Sequence, residues 1–198
     1  MSDIRVIVLD APEKDDRQAL RYAGVRGQSA EAVELLRQAE AAISDKLSYR
    51  VCFRVLPLSV EGDECIMADT VIKSRSVAEL LCGCDRAVVF AATVGVGFDR
   101  EVARLSVRSA ALAHMADALA SERIESLCDR FSDRIKEEYS AEATRRFSPG
   151  YGDLPLQFQE VMFRLLSPEK HIGLSLTSSL LMTPTKSVSA VFGLRKKL

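Results

Sequence analysis

The period of apolar residues changes several times along the 198 positions, and each change marks an element. Near the start, Ile4, Val6 and Val8 alternate with Arg5, Ile7 and Leu9, which predicts a short strand. A charged helix follows Pro12 and ends near Gly24, and two glycines turn the chain over residues 21–28. Ser29 then caps a second helix whose apolar side is Val33, Leu36, Ala39, Ile43 and Leu47. Alternation returns in Tyr49, Val51, Phe53 and Val55, a half-buried strand, and a further strand covers 66–72. Ser76 and Glu79 form a capping box for a helix that Gly83 ends.

The second half is read the same way. An apolar strand after Asp85 runs through Gly95 and Gly97 into a helix. Residues 99–143 carry the longest helical tract, with Leu105, Leu112, Met115, Leu119, Leu127, Phe131 and Ile135 as its buried stripe and a break near Asp129. Phe158, Val161, Met162 and Leu165 recur at helical spacing, and Ser167-Pro168 has the N-cap and N1 arrangement of another turn. Residues 174–182 and 187–192 read as two strands joined by Thr183-Pro184-Thr185. There is no internal repeat and no linker-like stretch, so residues 1–198 read as one domain. Short strands towards the ends with helices between predict an α+β fold with a mostly antiparallel sheet.

Composition narrows the function classes. A 47% hydrophobic and 28% charged chain is ordinary for a soluble protein. A net charge of −1 offers no basic surface for nucleic acid or an anionic membrane. No apolar run approaches the ~20 residues of a membrane span, and Met1-Ser2-Asp3 lacks the charged start of a signal peptide. These features predict a cytoplasmic protein, with Arg195-Lys196-Lys197 as a solvated tail. Five cysteines without framework spacing fit a reducing compartment. Cys82-Gly-Cys84 reads as a helix end with incidental thiols, because no second pair or nearby histidine completes a zinc site.

Candidate chemistry concentrates in residues 146–157, R-F-S-P-G-Y-G-D-L-P-L-Q. Pro149 fixes its own backbone and pushes Ser148 towards an extended form. Gly150 permits a tight turn or close approach of a ligand. Tyr151 offers a flat face with a polar tip, and Arg146 a planar fork for a carboxylate or phosphate. On residue types alone this is a surface turn between helices or a shaped ligand loop. Gly95-x-Gly97 follows a strand, but Arg100 stands at the third glycine position of a dinucleotide fingerprint and no acidic strand end follows. The amides at that helix start are left as an anion site. His114 reads as structural and His171 as a helix-end residue. No nucleophile elbow, zinc-protease motif or Walker loop occurs. A binding module is therefore favoured over a self-sufficient enzyme.

Arg146-x-x-x-Gly150-Tyr151 resembles the S-adenosylmethionine-binding motif in the activation domain of cobalamin (vitamin B12)-dependent methionine synthase. The resemblance continues in Glu169, Lys170, His171, Gly173, Leu176, Thr177, Ser179, Met182, Pro184, Ser187, Val188 and Ser189. It is best over 146–192, looser in the middle of the chain, and does not reach the first hundred residues. It implies the same α+β fold and a free-standing reactivation module. The partner would be a cobalamin-dependent methionine synthase without its own activation domain, with flavodoxin or ferredoxin as electron donor. In such a module S-adenosylmethionine methylates the partner's cobalamin, restoring methylcobalamin from cob(II)alamin. The chain would be the methyl-donor-binding component of a methyltransferase system in methionine biosynthesis, inactive alone.

By the same resemblance Arg146 holds the amino-acid end of the ligand, and Ser148, Pro149, Gly150 and Tyr151 line its nucleoside end. Glu122 and Glu142 are the acidic residues expected near the sulfonium. Asp153 and Gln157 are expected to face the partner, with Gln157 standing where the large enzyme has a histidine. The chain also stops soon after Ser187-Val188-Ser189-Ala190, where longer members continue. Two other readings stay open. One is a corrinoid-pathway interaction protein that kept the fold and lost the ligand. The other is an unrelated nucleotide-binding protein that uses the Gly95-Gly97 loop.

Overall fold

In the computed structural model, which describes residues 3–27, 29–68 and 70–196, the long strand β2 (Tyr49–Glu61) carries the sheet. One of its edges is shared by β1 (Arg5–Leu9) and β3 (Glu64–Met67), which pair with its two halves. Its other edge pairs with β5 (Arg86–Thr93), which pairs with β9 (Ser187–Lys196), and β9 pairs with β6 (Ala141–Ala143). With β4 (Thr70–Lys73) beside β3, the seven-stranded sheet has the order β4-β3-β2-β5-β9-β6, every pairing antiparallel. A separate hairpin joins β7 (Ser175–Leu176) to β8 (Met182–Thr183).

Because side chains alternate across a strand, the sheet buries two different sets. One face turns Val51, Phe53, Val88, Phe90 and Phe192 towards α1 (Asp16–Tyr22), α2 (Ala30–Ile43), α4 (Val96–Arg108) and α5 (Ala110–Glu138). Phe131 of α5 lies 5.0, 5.0 and 6.1 Å, centroid to centroid, from Phe53, Phe90 and Phe192. The other face turns Cys52, Leu56, Val89, Ala91 and Val191 towards α3 (Arg75–Leu81), α6 (Phe158–Leu166) and α7 (Pro168–Ile172). The expected α+β fold with antiparallel pairing is what forms.

Several local expectations are corrected. The 66–72 strand is two strands, β3 and β4, with Ala68 at φ 54° between them. The long helical tract breaks not near Asp129 but at Ser109, whose extended backbone ends α4 and whose hydroxyl caps α5 by accepting from Leu112 N at 3.2 Å. The cap of α3 is Ser74, not Ser76, accepting from Val77 N at 3.2 Å. Residues 174–182 are no single strand: they fold back as β7, a turn and β8. Arg195 and Lys196 are not a free tail, since both extend β9 against β6. Lys197, Gln28, Asp69 and the Met1-Ser2 start lie outside the described residues. Among the described residues no helix is long and apolar enough to cross a membrane.

Cysteine chemistry is muted. Burial pushes the thiols of Cys52 and Cys65 up to about 12 and about 11, and that of Cys128 further. Cys82 ends α3 as expected, and Cys84 packs so close to β9 that a Cβ on Gly193 would meet its Sγ at 2.5 Å. No group of His, Cys, Asp and Glu able to hold a metal occurs among the described residues.

Candidate functional site

The segment after β6 is pinned at both ends. Phe147 makes two backbone hydrogen bonds to Val191 of β9, at 2.8 and 2.9 Å. Asp153 grips the start of α3, accepting from Ser74 Oγ at 2.5 Å, Arg75 N at 2.8 Å and Ser76 N at 3.2 Å. The Ser74 hydroxyl foremost, and the two amides, hold the Asp153 carboxyl well below the usual carboxylate range. Between these anchors Gly150 and Gly152 sit at φ 90° and 54°, where a side chain would be strained. Gly150 N donates to Leu154 O at 2.9 Å, and Leu154 is buried beneath the loop. Residues 146–157 thus form a shaped, self-bonded loop.

That loop is one wall of an open groove of about 1480 Å³. Arg146, Phe147, Ser148, Pro149, Tyr151 and Gly152 line it from the loop. Glu125, Asp129, Ser132, Asp133 and Lys136 line it from α5; Ser187, Val188 and Ser189 from β9; Gln159 from α6. Four acidic and three basic side chains reach it, so the rim is mixed with a slight acidic excess.

Arg146 crosses the groove to α5. Its Nη1 donates to Asp129 Oδ1, and its Nη2 to Glu125 Oε2 at 2.9 Å. Burial works against the guanidinium charge, but Asp129, Cys128 and Glu125 more than offset it and hold its pKa above the ordinary value. The Arg146 side chain keeps 22% exposure, and its acids 45% and 70%. The cluster is therefore formed but open.

The sequence-predicted residues divide. Arg146, Ser148, Pro149 and Tyr151 meet in the groove, with Tyr151 on its rim at 69% exposure. Gly150 shapes the loop without lining it. Glu122 is not brought there. It is 1% exposed, accepts from Arg123 Nε at 2.5 Å and Ser126 Oγ at 2.6 Å, and faces the Asp15 amide. Glu142 lies on the sheet edge, paired with Arg195 at 2.9 Å. Asp153 spends its carboxylate inside the chain, and Gln157 is exposed at the start of α6. Reading residue types missed Glu125, Asp129 and Gln159. A helical wheel of α5 anchored on the buried Leu127 and Phe131 was the signal available for the first two.

The other candidates settle into the scaffold. Gly95 and Gly97 are required by close approach: a Cβ on Gly95 would lie 2.2 Å from Ser48 Oγ, and one on Gly97 2.3 Å from Lys46 O. The turn's free space is thus taken by the chain before β2. His114 Nε2 lies 3.2 Å from Ala23 O, a structural contact as expected. His171 stands in the last turn of α7.

The fold has solved counterparts. A crystal structure of the MetH reactivation domain bound to AdoHcy superposes with a TM-score of 0.74 at 16% identity, covering 100% of this chain and 80% of that one. At that identity the likeness is one of fold. Residues 60–197 match the family described as vitamin B12 dependent methionine synthase, activation domain, and the chain belongs to that family. The match begins well upstream of the 146–192 segment that carried the resemblance. No curated protein sequence matches the chain.

Proposed function

We propose that this chain binds S-adenosylmethionine in the groove and acts as a reactivation partner of a cobalamin-dependent methionine synthase that lacks its own activation domain. The observation that carries the reading is the Arg146–Glu125–Asp129 cluster, a formed but open charge set on the wall of a groove in a family member. Arg146 is the counter-charge for the ligand carboxylate. Glu125 and Asp129 take the place expected of Glu122 and Glu142: they lie in the groove, where a carboxylate favours a sulfonium cation. Ser148, Pro149 and Tyr151 form the nucleoside side, and Gly150 holds their loop.

When bound, the ligand supplies an activated methyl group. With one electron from flavodoxin or ferredoxin, transfer of that methyl to the partner's cob(II)alamin would break the sulfur–methyl bond, giving methylcobalamin and releasing S-adenosylhomocysteine. The chain's own part is to bind, orient and present, which requires reacting atoms ~3–3.5 Å apart. Exposed Tyr151, Leu156 and Gln157 form the surface offered to the cobalamin-bearing partner, and Asp153 supports it from behind. The test mixes this protein with such a partner in its cob(II)alamin form, a low-potential reductant and S-adenosylmethionine, following corrinoid absorbance. Methylcobalamin forms only with all components present, and Tyr151→Ala slows it. Equal formation without this protein removes the role.

One observation favours a second reading. Arg146 already has two carboxylate partners within the chain. In a family member that has lost its ligand, that cluster would simply tie the loop to α5, leaving a corrinoid-pathway interaction protein. Failure of S-adenosylmethionine to bind selects it.

A further inference from the structure

Two buried polar atoms in the groove residues have no hydrogen-bond partner within the protein: Gln159 Oε1 and Ser189 Oγ. Gln159 is 6% exposed and Ser189 2%. Buried polar groups are nearly always paired, and an unpaired one is stabilised when a ligand brings the missing partner. Both belong to the same side of the groove. Gln159 stands one turn before Met162, which packs in the core between α6 and the sheet. Ser189 stands two residues before Val191, on that same sheet face.

The groove's charges are arranged unevenly. Of its seven charged side chains, four (Glu125, Asp129, Asp133 and Lys136) come from α5, two (Arg145 and Arg146) from the segment after β6 and one (Glu79) from α3, whereas α6 and β9 contribute a neutral carboxamide and hydroxyls. Phe147, Pro149, Met182 and Val188 supply apolar surface beside them. A zwitterionic amino-acid tail suits the first side, and a neutral flat heterocycle the second. A carboxamide offers an acceptor and a donor side by side. That pattern complements an amino group next to a ring nitrogen, as when glutamine pairs with the N6 and N7 positions of adenine.

We propose that Gln159, assisted by the Ser189 hydroxyl, reads the base edge of the nucleoside ligand and selects a 6-aminopurine over a 6-oxopurine. This rests on the S-adenosylmethionine reading of the groove and adds the residues that set its base specificity.

Titration calorimetry with S-adenosylhomocysteine and its deaminated analogue S-inosylhomocysteine tests it. Wild type prefers the adenosyl compound by about tenfold or more. Gln159→Met, close in shape and without the carboxamide, brings the two affinities within about twofold, and Ser189→Ala lowers adenosyl affinity about threefold. Thermal melts of both variants check that the fold is kept. If wild type binds the adenosyl compound and Gln159→Met keeps the full preference, the base-reading role is overturned while the ligand reading stands. If wild type binds neither compound, both fall.

Discussion

Two arginines meet carboxylates on the same helix, α5, in opposite surroundings. Arg123 and Glu122 are buried, with the Arg123 side chain 9% and that of Glu122 1% exposed. Ser126 and the Asp15 amide complete the acid, and Arg123 Nη1 donates to Pro12 O at 3.0 Å. Arg146 instead reaches α5 from the loop and meets Glu125 and Asp129 where water still enters. The first cluster ties the segment before α1 down, with the Glu122 carboxylate fully engaged inside the chain. The second can trade an intramolecular carboxylate for one on a ligand at little cost, since solvent-exposed pairs contribute only ~0–1 kcal/mol. Three residues along a helix turn the direction by about 60°. That rotation separates a structural glutamate from one facing the groove.

The strongest way to break the comparison is to remove one partner of the buried pair. Glu122→Ala leaves the Arg123 charge without its carboxylate, and loss of one buried partner costs about 3–5 kcal/mol. Denaturant unfolding checks it, with a drop in the transition midpoint and little change in slope. Ligand affinity measured well below the transition stays at the wild-type level. A tenfold loss of affinity with unchanged stability would return Glu122 to the ligand site.

Arg146→Ala should behave in the reverse way. A charge-assisted hydrogen bond to the ligand carboxylate contributes ~1.5–3 kcal/mol, so S-adenosylmethionine affinity falls roughly ten- to hundredfold. Unfolding stability changes by ~1 kcal/mol or less, because the pairs it breaks are partly exposed. Calorimetric titration with equal affinities would remove Arg146 from the site. Smaller again is the effect of neutralising its neighbours. Glu125→Gln with Asp129→Asn removes two negative charges from the groove wall, and on the proposed binding mode it should lower the preference for S-adenosylmethionine over neutral S-adenosylhomocysteine by about three- to tenfold. An unchanged ratio would mean that the sulfonium lies elsewhere.

The contrast also explains what could be read in advance. Alternation announced β1 and β2, an unbroken apolar run announced β5, and the Arg146-x-x-x-Gly150-Tyr151 spacing located the loop, because these signals are local. Ser109 was missed because its side chain caps one helix exactly where another ends, so periodicity runs on across it. Ser74 and Ser76 are both plausible caps, and Asp153, far along the chain, reinforces the first. Glu122 and Glu125 are indistinguishable as residue types. Only the packing of α5 against α1 decides which carboxylate is buried. Gln159 and Ser189 became visible once burial showed that their polar atoms lack partners.

Asp153 gives the mildest test, and it reports on the loop's anchor rather than on its charges. Its carboxylate caps α3 from outside the helix, so Asp153→Asn keeps the shape and weakens three hydrogen bonds. Losing a helix cap of this kind lowers the melting midpoint by about 2–4 °C in a chain of this size. The pH dependence has a definite sign. The folded carboxyl is held below its unfolded value, so its contribution is complete above the unfolded pKa and is lost as pH falls through the acid range towards the folded one. The melting difference between wild type and Asp153→Asn is therefore constant near neutrality and shrinks below about pH 4. Arg146 stays charged throughout, and the variant's ligand affinity falls by about threefold or less, because Phe147 still holds the other end of the loop. A difference that persists unchanged at low pH would mean that Asp153 stabilises α3 by packing, not as a charged cap.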